Sequence, residues 1–156
     1  MNRSESISFA GFWRRAGAMI IDSVIYTILI MLALGPAYIN SDFYTPEGLV
    51  SSVLMLVITV MLWIRYGGTP GKLLLGCRIV DADSYAIPTA RQSIIRYLGY
   101  YVSVLCLFVG FFWVLWDKRK QAFHDKMANT VVLYNSGLEL FDESQKSLDQ
   151  LISELR

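Results

Sequence analysis

The chain has 156 residues, of which 54% are hydrophobic and 17% are charged, whereas roughly a quarter of the residues are charged in an ordinary soluble domain. The apolar residues are clustered, which predicts an integral membrane protein rather than a soluble protein with a large core. The net charge of +1 gives no reason to expect a nucleic acid partner, and the two distant cysteines indicate neither a metal site nor a disulfide framework.

The first half of the chain holds two apolar segments, and each predicts a transmembrane helix. The first runs from about residue 16 to residue 39 and the second from about residue 49 to residue 64. A helix needs about 20 mostly apolar residues to cross a bilayer. The connecting loop, "NSDFYTPEG", carries two acidic residues and no Lys or Arg.

Basic residues beside these segments predict the orientation of the chain. Lys and Arg are enriched in cytoplasmic loops, and Arg3, Arg14 and Arg15 precede the first apolar segment. We therefore expect the N-terminus in the cytoplasm and the chain in the inner membrane of a bacterium. The C-terminus is expected there as well, because "DKRK" follows the last apolar stretch.

The middle of the chain predicts a short cytoplasmic β-hairpin. "GGTPGK" ends the second helix, and the segments "KLLLGCRIV" and "YAIPT" then flank the turn sequence "DADS", as in two strands joined by an Asp-rich turn. Thr89 and Gln92 have the spacing of a capping box, which predicts a helix that starts near Ala90.

The third apolar segment, residues 91–116, leaves two interpretations open. Arg91 and Arg96 lie at its start, and Lys118 and Arg119 follow its end, so both ends favour the cytoplasm. The segment is either bent or re-entrant near Gly110, with both ends on one side, or it crosses the membrane once against the charge rule. The fold class is in either case an all-α membrane protein with two full transmembrane helices and a third apolar helical segment.

A charged pair lies inside the first apolar segment. Arg15 and Asp22 are two helical turns apart, about 10 Å along the axis, and so share a face of the helix. An unpaired carboxylate in hydrocarbon is costly, so Asp22 requires a partner. The sequence offers Arg15, Arg65 and Arg96 for this role.

Four blocks of the sequence resemble the RDD family of membrane proteins, named after one Arg and two Asp residues. The blocks are "GFWRRAGAMIIDSVI", "GGTPGKLLLGCRIVDADS", "RQSIIRYLGYY" and "KRKQAFHDKMANTVVL". The matching positions are Arg15, with Arg14 beside it, Asp22 and Asp125. Ser84 stands where family members often carry Gly, and "MANT" replaces the usual "LAGT". The resemblance implies a small polytopic membrane domain without known catalytic chemistry; some members look like cation/proton antiporters, and others are linked to protease or quality-control assemblies.

Two functions are consistent with this charged set. In the first, Asp22 lies in a charged pocket of an oligomeric transporter and exchanges a monovalent cation or a proton. In the second, the charges hold the helices of a membrane adaptor that regulates another membrane protein or protease. The full set comprises Arg14, Arg15, Asp22, Arg65, Arg96, His124 and Asp125. The basic residues Lys72, Arg91, Lys118 and Arg119 predict contacts with anionic lipid headgroups.

The remaining sequence contains no catalytic set, so we expect a protein that is not an enzyme and needs no cofactor or metal. Residues 1–135 are predicted to form the RDD-like transmembrane domain, and residues 136–156 an acidic cytoplasmic tail. In that tail Leu148, Leu151, Ile152 and Leu155 recur at helical spacing. The tail is either a helix that binds a partner or a second copy, or a solvated, frayed segment.

Overall fold

The computed structural model describes residues 7–35, 45–105, 109–134 and 137–154. In chain order its elements are α1 (Phe12–Leu34), α2 (Pro46–Tyr66), α3 (Pro70–Leu74), β1 (Cys77–Asp81), α4 (Ala90–Leu105), α5 (Val109–Phe112), a 3₁₀ turn (Trp113–Leu115), α6 (Phe123–Met127), β2 (Thr130–Tyr134) and α7 (Gly137–Glu154).

Helices α1 and α2 are the two predicted transmembrane helices. They contain 23 and 21 residues, which gives about 35 and 31 Å at 1.5 Å per residue, enough for a hydrocarbon core of about 30 Å. Both are long and apolar enough to cross a membrane. Helix α1 begins at Phe12, four residues before the predicted start, so Arg14 and Arg15 lie within its first turn.

The segment "GGTPGK" forms a turn followed by the short helix α3. Gly67 ends α2 in the left-handed region at φ 66° and donates its N–H to the carbonyl of Trp63, a conformation that glycine adopts without steric cost. Thr69 and Pro70 then start α3. This short helix packs back against α1, a contact that the predicted turn did not include.

The third apolar segment is bent. Helix α4 and the segment Val109–Leu115 lie at 115° to each other, and residues 106–108 between them are outside the described residues. Gly110 is buried against α4, because a Cβ at this position would lie 2.6 Å from Oγ of Ser103. The bend excludes one straight helix, while a re-entrant segment and a broken third span both have this geometry. The predicted capping box is also present, since Thr89 N–H donates to Gln92 and Gln92 N–H to Thr89.

The two-stranded antiparallel sheet is present, but the predicted hairpin partner was wrong. β1 pairs with β2, so that Ile79 faces Val132 and Val80 faces Val131. "YAIPT" forms no strand; Ala86 instead accepts one hydrogen bond from the N–H of Asp81. The partner sequence "TVVLY" is rich in β-branched residues, which fit a strand buried on both faces. The extended segment before α1 joins the other edge of β2 through Ala10 and Ser8.

The sheet carries a small core on each face. One cluster joins Ala10, Trp63, Cys77, Ile79 and Val132, and the other joins Val80, Ala82, Val131 and Leu133. Trp63 comes from the end of α2, so the first cluster attaches the sheet to a transmembrane helix.

The acidic tail is helical, as one of the two interpretations predicted. Leu138 of α7 packs against the second cluster, whereas Leu151 and Ile152 near its end are 56% and 61% exposed. Leu155 and the side chain of Leu148 lie outside what the structure describes.

Candidate functional site

A buried ion-pair network surrounds Asp125 at the start of α6. Its carboxylate is fully buried and lies between two guanidinium groups. Arg15 of α1 donates to Oδ2, and Nη2 of Arg96 on α4 lies 2.6 Å from Oδ1. The backbone N–H of Ala122 also donates to Oδ2, at 3.0 Å. Asp125 is thereby held by two helices and by the first turn of its own.

Arg15 uses every side of its guanidinium group. Besides its pair with Asp125, its Nε donates to the carbonyl of Ala10 at 2.8 Å, and its Nη2 donates to the carbonyl of Lys120 at 2.6 Å. A planar guanidinium with donors in fixed directions suits such a three-way connection. Arg15 therefore ties the segment before α1, the start of α1 and the loop before α6 together.

Arg96 links the same carboxylate to the sheet. It is 1% exposed, and its Nη1 donates to Oγ1 of Thr130, the first residue of β2, at 2.8 Å. Its guanidinium carbon lies 5.4 Å from the ring centroid of Trp63, within the range of a cation–π interaction. The buried charge of Arg96 is thus shared between a carboxylate, a hydroxyl and an aromatic ring.

The electrostatic environment keeps Asp125 ionised and His124 neutral. Burial alone raises the pKa of Asp125, but the charges of Arg15 and Arg96 outweigh burial and hold this pKa below its usual range. Burial lowers the pKa of His124 to about 3, and Arg96 adds to this effect while Asp125 opposes it. His124 is further enclosed by Tyr100, whose ring centroid lies 4.1 Å from that of the imidazole.

Asp22 belongs to a second, separate cluster. Its carboxylate accepts a hydrogen bond from Oγ1 of Thr69 at 2.5 Å and another from the backbone N–H of Gly71 at 2.6 Å. Nζ of Lys72 lies 3.9 Å from Oδ2 of Asp22. These donors come from the start of α3, so Asp22 fixes that short helix against α1.

Gly71 is the position at which α3 approaches α1 most closely. A Cβ there would lie 2.3 Å from the carbonyl oxygen of Ala18 and 2.9 Å from the backbone nitrogen of Asp22. Both neighbours are backbone atoms of α1, which cannot move aside as the end of a flexible side chain can. The hydrogen bond from Gly71 to Asp22 therefore depends on the absence of a side chain at residue 71.

The predicted charged set divides between these clusters. The structure brings Arg15, Arg96, His124 and Asp125 together. The expected pairing of Asp22 with Arg15 was wrong, because Arg15 points to Asp125 and the carboxylate of Asp22 is occupied by α3.

Two predicted members of the set lie apart from both carboxylates. Arg14 donates to the carbonyl of Leu75 at 3.0 Å, and its guanidinium carbon lies 3.4 Å from the ring centroid of Tyr134. Arg65 is exposed near the end of α2. Sequence position does not separate these arginines from Arg15 and Arg96, because all four lie near the ends of apolar segments.

The residues predicted to contact lipid headgroups also fall into two groups. Arg91, Lys118 and Arg119 are exposed, so their side chains are free to meet a membrane surface. Lys72 is only 6% exposed and lies beside Asp22.

Sequence reasoning missed Thr69, Gly71 and Thr130 as members of the clusters. The first two lie in "GGTPGK", which follows α2, and the available signal was that the carboxylate of Asp22 in α1 requires hydrogen-bond donors. Thr130 opens the β-branched run "TVVLY", whose composition was the available signal for a strand. Within the described residues, no group of three or more His, Cys, Asp or Glu side chains is placed to hold a metal ion.

A cavity of about 470 Å³ lies beside both clusters. Basic side chains on its wall are Arg15, Lys72, Arg96 and His124, and most of the other lining residues are apolar or aromatic. The cavity is therefore bounded by α1, α3, α4, α5 and α6, and the two carboxylates hold four of these helices, α1, α3, α4 and α6, together.

The model of the RDD family matches residues 9–129, a range that contains Asp22, Asp125 and every residue that lines the cavity. The chain belongs to the RDD family. In this RDD protein the match begins just before α1 and ends just before β2. Together with the two apolar helices long enough to cross a bilayer, the family makes the chain a small integral membrane protein.

Curated relatives of the RDD protein come from several bacteria. An uncharacterized protein of Rickettsia prowazekii (strain Madrid E) is 38% identical over 74 residues, which cover 47% of this chain and 40% of the relative. Uncharacterized protein YxaI of Bacillus subtilis (strain 168) is 29% identical over 149 residues, 80% of this chain and 97% of the relative. Uncharacterized membrane protein YteJ of the same strain is 24% identical over 136 residues, 81% of this chain and 82% of the relative. The aligned part thus spans less than half of the Rickettsia protein and nearly all of YxaI. No solved structure matches this chain.

Proposed function

We propose that this RDD protein is a non-enzymatic adaptor of a bacterial inner membrane, and that α7 binds a basic segment of another membrane protein in the cytoplasm. The proposal rests on the packing and the charge of α7. Its start is packed on the sheet through Leu138, and its end leaves two large aliphatic side chains exposed on an acidic helix.

The charge of α7 indicates the kind of partner. Residues 137–154 contain five acidic residues and a single basic residue, Lys146. Leu151 and Ile152 lie on one face of the helix, and Asp149 and Glu154 flank that face. Acidic side chains are repelled by anionic headgroups, so the bilayer is a poor cover for these two aliphatic residues. A basic amphipathic helix complements both the charge and the apolar pair.

The buried ion pairs fix the position of the sheet on which α7 packs. Arg96 joins Asp125 to Thr130 at the start of β2, and α7 follows β2 after residues 135–136. Arg15 joins the same carboxylate to α1. The sheet on which Leu138 of α7 packs is therefore joined to α1 and α4 by charged side chains.

The same geometry argues against ion coupling by Asp22. A coupling carboxylate must exchange its partners as it gains and loses a proton or a cation. Asp22 instead accepts two short hydrogen bonds, from Thr69 and from the backbone of Gly71. Three cationic side chains, Arg15, Lys72 and Arg96, stand near two carboxylates, so the surroundings carry an excess of positive charge that disfavours a bound cation.

Site-specific photo-crosslinking in intact cells tests the adaptor proposal. A benzoylphenylalanine at position 151 should crosslink to a Lys- or Arg-rich segment of another membrane protein, whereas the same probe at position 150 should not. Gln150 is the matched control because it is exposed and lies on the opposite face of α7.

A charge-reversed chain with Asp149→Lys and Glu154→Lys should lose that crosslink while it keeps its thermal stability, because both side chains are exposed. Crosslinks only between copies of this chain, or equal crosslinks from positions 150 and 151, would overturn the proposal.

A further inference from the structure

We infer that the cavity bounded by α1, α3, α4, α5 and α6 binds one anionic phospholipid, with the phosphate on the basic floor and the acyl chains leaving between α1 and α5. The inference is independent of the adaptor role of α7, since it rests on a different part of the molecule. The volume of the cavity, about 470 Å³, lies within the roughly 300–1,000 Å³ of pockets that hold small organic ligands.

The floor of the cavity is built from buried basic side chains. Arg15, Lys72, Arg96 and His124 all line it, and each is less than a tenth exposed. Among the described residues, the carboxylates of Asp22 and Asp125 pair with these groups and offset two of the three formal positive charges. A single negative charge from a ligand would balance the cluster, and an unpaired buried charge is otherwise costly.

Some of these basic groups have unused hydrogen-bonding capacity. The ammonium of Lys72 has three donors, yet its contacts to Thr69 Oγ1 at 3.4 Å and to Asp22 Oδ2 at 3.9 Å are long. The Nε–H of Arg96 is buried without a hydrogen-bond partner in the described part of the chain. Buried donors are almost always paired in proteins, so these atoms indicate a ligand with acceptor oxygens, as a phosphate provides.

Apolar side chains form most of the remaining cavity wall. Met19 on α1 and Phe112 on α5 line it and are 46% and 44% exposed. Both belong to segments that are apolar enough to enter a membrane, and Phe12, Ala16 and Phe111 also line the cavity. The cavity wall therefore combines basic with apolar side chains, which suits a lipid better than a free inorganic anion.

Native mass spectrometry of the full chain in detergent tests the inference with two probes of equal acyl chains, dioleoyl phosphatidylglycerol and dioleoyl phosphatidylcholine. We expect a one-to-one complex with the anionic lipid that is at least about tenfold tighter than with the zwitterionic lipid, a ratio that one charge-assisted contact supplies. Lys72→Gln should weaken the anionic complex by a similar factor, because it removes the ammonium and leaves Thr69 and Gly71 to hold Asp22.

A second variant tests the cavity without touching its charges. Ala16→Phe should place a phenyl ring in the cavity and abolish the complex, even if Lys72→Gln fails to fold. Lys146→Gln is the matched control for Lys72→Gln, since Lys146 is exposed and does not line the cavity, and it should bind as the wild type does. Equal binding of the two lipids, retention of the complex in Ala16→Phe, or its displacement by millimolar inorganic phosphate would overturn the inference.

Discussion

Arg15 and Asp125 are 110 residues apart in the sequence and form a buried ion pair. The pair joins the first turn of α1 to α6, and Arg96 completes it from α4. Three helices that are distant in the sequence therefore meet at one carboxylate. Ionisation of that carboxylate stabilises the contact, because the neutral acid would leave two buried guanidinium groups without a counter-charge.

Replacement of Asp125 by Asn should be strongly destabilising. The variant removes one charge and leaves Arg15 and Arg96 buried without their counter-ion, which typically costs about 3–5 kcal/mol. We expect a large loss of folded protein and a lower midpoint of thermal unfolding in detergent.

The control for this variant is Asp117→Asn. Asp117 pairs with Lys126 at 2.5 Å, but the side chain of Lys126 is 41% exposed, and exposed pairs contribute about 0–1 kcal/mol. An equal loss of stability in the two variants would contradict a large contribution of the buried Asp125 network to stability.

Replacement of Gly71 by Ala should separate α3 from α1. The added Cβ would lie 2.3 Å from the carbonyl oxygen of Ala18, and overpacking of this kind costs typically about 1–3 kcal/mol. Gly11→Ala is the matched control, because a Cβ at residue 11 meets nothing within 4 Å. Thermal unfolding of both variants in the same detergent measures the difference, and a stable Gly71→Ala would contradict the close approach.

The stability of the protein should fall as the pH falls below about 6.5. His124 is the single histidine of the chain, and burial lowers its pKa to about 3 in the folded protein, whereas an unfolded histidine has a pKa of about 6.5. The unfolded chain binds more protons between these two values, so acid favours unfolding.

Protonation of His124 should lower the free energy of unfolding by at most about 1.4 kcal/mol for each pH unit. Unfolding midpoints measured between pH 7.5 and pH 5 check the prediction, with His124→Gln as the comparison. The variant should lose most of the slope, and an unchanged slope would show that His124 is not the group that titrates. Asp125 does not titrate in this range, because Arg15 and Arg96 hold its pKa below the usual value.

Local features of the sequence predicted much of the fold. Apolar length predicted α1 and α2, the Thr89–Gln92 spacing predicted the start of α4, and Gly110 marked the bent segment. Each of these features depends on neighbours within a few residues, where helical geometry and capping chemistry act.

The partners of the charged residues could not be predicted in the same way. Helical periodicity placed Arg15 and Asp22 on one face, but two turns separate them by about 10 Å along the axis, too far for direct contact. The true partners come from α3, α4 and α6. The pairing of β1 with β2 is equally non-local, and nothing in "CRIVD" distinguishes "TVVLY" from the nearer "YAIPT".

A disulfide can test this strand pairing directly. Cys77 faces Tyr134 in the antiparallel register, and facing Cα atoms in such a pair are about 4.5–5.5 Å apart, within the range of a disulfide. Tyr134→Cys in a Cys106→Ser background should form an intramolecular disulfide on oxidation, seen as a shift in gel mobility that reductant reverses.

The control for the disulfide is Pro88→Cys in the same background, because position 88 would face Cys77 in a hairpin with its turn at residues 81–84. A disulfide to position 88 and none to position 134 would restore the hairpin and contradict the sheet described here.

The most direct measurement is ion flux in proteoliposomes of the purified wild-type chain, driven by a pH gradient or by a gradient of a monovalent cation, beside Asp22→Asn. In the proposed adaptor, the carboxylates of Asp22 and Asp125 are fixed structural contacts. This account predicts that the well-folded wild type gives no flux above that of protein-free liposomes, and that Asp22→Asn changes stability alone. Gradient-driven flux in the wild type that disappears in a folded Asp22→Asn would contradict it.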